Sequence, residues 1–131
     1  MKYFLISTFL LLILATACTK EEGLGGNATI EGKVYILDYN QELTNKLGEF
    51  YGADIDVFII YGDDVIYADD FTTNYDGSYH FTHLRPGKYS VFAYSEDTTG
   101  ISETEIFPVF KEIEITDKNE TVIVDDIIIV K

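Results

Sequence analysis

Two histidines, one cysteine and several close pairs of carboxylates are the residues of this chain with the means to do chemistry. His80 and His83 lie three apart in "YHFTHL". On an extended strand residues three apart point to opposite faces, so this spacing does not hold a zinc ion between them. Acidic pairs at Asp54/Asp56, Asp63/Asp64, Asp69/Asp70 and Asp125/Asp126, together with Asn74 and Asp76, supply the hard oxygens that calcium takes. None has the spacing of a known calcium loop, and they read as turn residues and a solvated acidic face. Serine and threonine hydroxyls are present, but no histidine stands in the context of a base and there is no glycine-rich phosphate loop. No enzyme activity, metal or other cofactor is expected. Cys18 is the single cysteine, so it forms no internal disulfide; it is a free thiol, half of an intermolecular bridge, or a modification site.

Charge narrows the partners. With 23 Asp and Glu against 9 Lys and Arg, the net charge is -14, which opposes nucleic acid phosphates and anionic lipid surfaces over most of the molecule. Hydrophobic content of 47% with 15% aromatics is too rich for a disordered chain and sufficient for one packed domain. Tryptophan is absent, while there are 10 tyrosines.

The N-terminus has the layout of a targeting segment. Lys2 is a positive n-region, Phe4 to Leu14 is apolar apart from Ser7 and Thr8, and Ala15-Thr16-Ala17 offers the small residues a signal peptidase needs. From Tyr3 to Cys18 the stretch falls short of the roughly 20 residues of a membrane span, and no basic stop-transfer cluster follows. "LATAC" resembles a bacterial lipobox, although Ala15 stands where leucine is usual and "ATA" also suits ordinary cleavage. The resemblance implies a signal peptide at 1–17 and acylation of Cys18 as the first mature residue. Several acyl chains, palmitate among them, would hold the protein on a membrane where one binds only marginally. Lys20, Glu21 and Glu22 resemble the short charged run that sends Bacteroidetes lipoproteins to the outer face of the outer membrane, which implies exposure on the cell surface; the alternative is a solvated linker. Gly23, Gly25 and Gly26 then make 18–27 a flexible tether.

From residue 28 onward the pattern is all-β. "ATIEGKVYIL" at 28–37 alternates Ile30, Gly32, Val34 and Ile36 against Thr29, Glu31, Lys33 and Tyr35, the period of a half-buried strand. Residues 41–52 lack alternation and read as a loop with, at most, a helical turn. Ile55, Val57 and Ile59 alternate with Asp54, Asp56 and Phe58 in a second strand, and 65–73 is its hairpin partner after the Gly62-Asp63-Asp64 turn. Asp76-Gly77 supplies a tight turn, Tyr79 and Phe81 point one way on the next strand, "LRPG" turns again, and Tyr89, Val91 and Ala93 share a face. Residues 105–115 form a strand that Pro108 confines to an edge or a bulge. In "ETVIVDDIIIVK", Val122 and Val124 come into phase with Ile127 and Ile129 only if one residue is inserted at Asp125-Asp126, which predicts a bulge.

The run of a threonine pair, Asp76-Gly77, Tyr79-x-Phe81, Leu84-x-Pro86-Gly87 and Tyr89-x-Val91 resembles the carboxypeptidase regulatory-like domains and the related Cna-B-type modules. With "IEGKVY" before it and "VIVDDIIIV" after it, the resemblance covers nearly all of 28–131. It implies a seven-stranded Greek-key β-sandwich of the transthyretin-like (prealbumin-like) type and says almost nothing of function. Cna-B-type modules often carry a lysine–asparagine isopeptide bond. Lys33 would stand for the lysine, but Asp125 and Asp126 occupy the last strand and Ala93 the place of the assisting glutamate, so no bond is expected.

Three roles follow. The first is a lipid-anchored, non-catalytic cell-envelope protein with a structural or adhesive function, touching a partner through loops near 41–52 and 96–104. The second is a module for carbohydrate or a small ligand, with Tyr61, Tyr67, Tyr75 and Tyr94 as stacking faces where exposed. The third is a fimbrial subunit whose apolar last strand pairs with a neighbour's edge. "DTT" at 97–99 resembles the O-glycosylation acceptor of Bacteroidetes and makes Thr98 a candidate glycan site.

Overall fold

The computed structural model describes residues 21–101 and 103–131. Cys18 and Lys20 lie outside the described residues. The described chain is all-β, with nine strands: β1 Leu24–Tyr39, β2 Lys46–Tyr51, β3 Asp56–Tyr61, β4 Asp69–Thr72, β5 Ser78–Leu84, β6 Gly87–Glu96, β7 Ile106–Ile115, β8 Thr121–Ile123 and β9 Ile127–Val130. They form two sheets in a sandwich-like arrangement. In one, β1 is paired antiparallel with β5 and β2 and parallel with β8 and β9; the other runs β4-β3-β6-β7.

β1 is long enough to organise its whole sheet. Its first half pairs with β5 and its second with β2, and the exchange occurs at Val34, whose N–H donates to Gly77 O and whose carbonyl accepts from Gly52 N–H. Along the other edge β8 and β9 behave as one interrupted strand. Thr29 is opposite Thr121 but Val34 is opposite Ile127, so the last strand carries one extra residue between the two pairings, as the phase slip at Asp125-Asp126 predicts.

Alternation fills the core from both sheets. Ile30, Val34, Ile36, Tyr79, Phe81, Ile127 and Ile129 on one side meet Val57, Ile59, Tyr89, Val91, Ala93, Ile113 and Ile115 on the other. Gly32 falls on the core face because no side chain fits there: a β-carbon would collide with the Tyr79 hydroxyl and ring. Two polar side chains tie buried backbone. Thr73 Oγ1 donates to Gly52 O at 2.6 Å and accepts from Ile55 N–H at 2.9 Å, and Ser95 Oγ accepts from Val130 N–H at 2.9 Å, joining β6 to β9 across the sandwich.

Four expectations need correction. The strand count is nine rather than seven, because β2 forms within the 41–52 segment read as a loop and the last strand is split. β2 escapes the alternation test because both of its faces are largely solvated: Leu47, Phe50 and Tyr51 are exposed, so there is no apolar phase to detect. Residues 65–68 precede the hairpin partner of β3, which shrinks to the four residues of β4. The third correction concerns the tether. β1 begins at Leu24, so residues 24–27 belong to a strand; Gly23 is buried, and a β-carbon on Gly26 would overlap the Leu84 carbonyl, so Gly26 permits close backbone approach at a bulge.

The fourth correction concerns the histidines. His83 takes a left-handed backbone (φ 59°) in this bulged part of β5, which resets the strand phase, and His80, Thr82 and His83 are all exposed. Strict alternation therefore does not hold between residues 80 and 83. Among the described residues, no group of three or more His, Cys, Asp or Glu side chains is placed to hold a metal ion.

Candidate functional site

Outward positions of the β4-β3-β6-β7 sheet carry the densest group of exposed aromatics. Antiparallel register puts Asp70, Phe58, Phe92 and Phe110 side by side in one row that crosses all four strands. Phe58 and Phe92 are stacked at 5.1 Å between ring centroids, and Phe92 meets Phe110 at 5.0 Å. Tyr94, the next outward residue on β6, stands edge-on to both Phe58 and Phe92, and Tyr67 from the loop before β4 covers Phe58 at 4.7 Å. Phe92 is buried beneath its neighbours, while Tyr67, Tyr94 and Phe110 keep 46–50% of their surface exposed. The result is a cluster of mutually tilted rings, buried at Phe92 and solvated at Tyr67, Tyr94 and Phe110, that forms an aromatic platform braced by its own contacts, with few rotamers to lose on binding.

The same face changes character one row along. Ser90 and Glu112 are the next outward residues below Phe92 and Phe110, and Lys88 and Glu114 follow them. Together with Gly62 and Asp63 of the β3–β4 connection they line a shallow trough of about 500 Å³ that opens beside the platform. Asp56, hydrogen-bonded by Thr72 Oγ1 at 2.8 Å, lies at the opposite end of the face.

The motif residues singled out from the sequence have structural positions. Asp76 accepts from Ser78 N–H and Oγ, and these hydrogen bonds, the side-chain one foremost, hold its carboxyl below the usual range. Gly77 (φ 80°) completes the turn that carries the chain from one sheet to the other. Tyr79, Phe81 and Leu84 are core residues. Pro86 and Gly87 turn the chain into β6, where the Tyr89 hydroxyl donates to Arg85 O at 2.6 Å and accepts from Gly23 N–H at 2.8 Å. This tyrosine corner fastens the N-terminal segment to the domain, and burial raises the Tyr89 pKa. Glu22 packs beside Gly62 and Gly87 and Glu21 is exposed.

Of the four candidate stacking tyrosines, Tyr67 and Tyr94 belong to the platform. Tyr61 instead packs edge-on against Tyr89 at 5.7 Å, and Tyr75, 91% exposed, stands on the Asn74–Gly77 turn away from it. Sequence reading missed Phe58, Phe92 and Phe110. The signal was present: each occupies an outward phase of its strand, where alternation calls for a polar residue. Thr98 is exposed in the 97–105 loop, in an Asx turn whose Asp97 carboxylate accepts from Thr99 N–H and Oγ1. Lys33 is half exposed, with its Nζ 4.0 Å from Asp76 and lying over the Tyr51 ring.

No family model matches the chain, and no curated protein matches it. Among solved structures it is similar to a candidate carbohydrate binding protein from Pseudomonas aeruginosa, with a TM-score of 0.50 and 15% identity over 84% of this chain and 93% of that one. At that identity the likeness speaks to the fold.

Proposed function

We propose that the protein is a non-catalytic binding domain of the cell envelope, that its ligand is carbohydrate, and that the contact surface is the aromatic face of β3, β6 and β7. One observation carries this reading: Phe58, Phe92 and Phe110 from adjacent strands form a single outward row, flanked by half-exposed Tyr67 and Tyr94. Phe58 and Phe92 stack on each other and brace the group, and the half-exposed rings of Tyr67, Tyr94 and Phe110 offer the apolar surface that meets the C–H faces of sugar rings. The adjoining hydroxyl and carboxylates supply partners for sugar hydroxyls, the few polar groups that orient a ligand on an apolar surface. The description of the Pseudomonas protein accords with this, by fold analogy alone.

The remainder of the proposal rests on the sequence resemblances. Acylated Cys18 would anchor the chain in the outer membrane, Lys20-Glu21-Glu22 would direct it to the cell surface, and the sandwich would be the transthyretin-like Greek key of the carboxypeptidase regulatory-like and Cna-B-type modules. A glycan array probed with the full-length protein tests the functional part. Saturable binding that is lost in Tyr94→Ala and Phe110→Ala, with each variant still folded at the assay temperature, is expected. Absence of saturable binding would return the structural or adhesive role to first place, and concentration-dependent oligomers on size-exclusion chromatography would favour the fimbrial one.

A further inference from the structure

We infer that the platform is selective by charge: its occupant is a glycan without carboxylate or sulfate groups, lying across the strands from the aromatic row into the acidic trough. This inference rests on the carbohydrate reading and adds the chemical class of the sugar. The two halves of the face make opposite demands. The platform has no charge of its own and rewards an apolar ring face. Around it the outward side chains are Asp70 and Asp56 at one side and Glu112 and Glu114 at the other, with Asp63 at the rim and Lys88 as the cation among them.

A sugar hydroxyl meets that rim well. Ionised carboxylates accept hydrogen bonds without having to donate, and each hydroxyl can donate to one. An anionic group meets it badly. Placed on Phe110, a uronate carboxylate or a sulfate ester would sit one strand residue-pair from Glu112, at a separation of roughly 7 Å, about one Debye length at physiological salt, so the repulsion is partly screened there and grows as salt is lowered. The chain's net charge of -14 adds to the repulsion at long range and slows approach of any polyanion. An amino-bearing sugar is admitted by the same arrangement, and its binding should weaken with salt, whereas that of a neutral chain should not.

The test is isothermal titration of the purified full-length protein with cellohexaose and mannohexaose as neutral probes, a fully deacetylated chitosan oligomer as the cationic probe, and oligogalacturonate as the anionic probe. Expected is binding of a neutral probe that Phe110→Ala weakens at least about tenfold, little or none for oligogalacturonate, and a gain for oligogalacturonate in Glu112→Lys/Glu114→Lys. Binding of the deacetylated oligomer that falls with added salt would also support the inference. Oligogalacturonate binding to the unaltered protein that Phe110→Ala abolishes would overturn the charge selectivity and leave the carbohydrate reading standing. Failure of every probe, with Phe110→Ala indistinguishable from the parent, would remove both.

Discussion

Tyr79 offers a sharp test of the packing. Its ring fills the space left by Gly32, and its hydroxyl is buried without a hydrogen-bond partner. A buried hydroxyl left unpaired costs about 1–3 kcal/mol, while the ring itself contributes through the area it buries. Tyr79→Phe keeps the ring and deletes the unpaired oxygen, so the variant should be more stable by about 1–2 kcal/mol. For a domain of this size that corresponds to a rise in Tm of roughly 4–8 °C for each kcal/mol. The pH dependence supplies a second reading. Burial, with Asp126 assisting, raises the Tyr79 pKa above its ordinary value of 10.0. A folded-state pKa above the unfolded one means stability is full below about pH 10 and falls as pH rises through the folded value. Tyr79→Phe should therefore lose part of the alkaline decline, the remainder coming from Tyr61, Tyr89 and Tyr35, which burial shifts upward, and from Tyr51, raised by its hydrogen bond to Asp126. Urea unfolding of both proteins at pH 7 and pH 10.5 measures this directly. A variant that is less stable by 1 kcal/mol or more, with an unchanged alkaline limb, would refute the reasoning by showing that the hydroxyl has a partner.

Other consequences follow from the same contacts. Phe81→Ala, which empties a core position 5% exposed, should cost about 3–5 kcal/mol in chemical denaturation; wild-type stability would mean the two faces of β5 are reversed. Thr73→Val keeps the shape but leaves Gly52 O and Ile55 N–H unpaired, for an expected loss of about 1–3 kcal/mol in the same assay. Tyr89→Phe should free the Gly23 amide, seen as much faster hydrogen exchange there than in the parent; unchanged protection would deny the corner its role. Glu120 accepts from Thr116 and Asp117 N–H groups, which lower its pKa, so its contribution is present above the ordinary carboxylate range and disappears as pH falls through the lowered value. Glu120→Gln should flatten that acid limb of the stability profile.

The sequence made the core legible because one-sided burial writes itself as alternation. Ile30, Val34 and Ile36, Val57 and Ile59, and Tyr89, Val91 and Ala93 each share one phase of a strand and are core residues, and the inserted residue at Asp125-Asp126 is visible as a slip in phase. β2 left no such trace, since both of its faces are largely solvated. The role of Gly26 is not legible because composition does not distinguish a glycine that bends freely from one that admits a neighbouring carbonyl. His83 was misplaced because a left-handed residue shifts the phase without changing the letters. The platform was half legible. Exposed tyrosines are the stacking groups that the sequence suggests, yet the row that braces them consists of phenylalanines on three strands far apart in sequence, and only the register of β3, β6 and β7 brings them together. Each was an aromatic in a polar phase, which is a usable signal once strands are assigned.

The central claim is that sugar binds on the outward face of β3, β6 and β7. Chemical-shift mapping of the isotope-labelled full-length protein against a neutral hexasaccharide tests it most directly. The account predicts saturable shifts concentrated at Phe58, Tyr67, Ser90, Phe92, Tyr94, Phe110 and Glu112. Shifts confined to the outer face of the other sheet, around Tyr35, Tyr51 and Ile128, would contradict it.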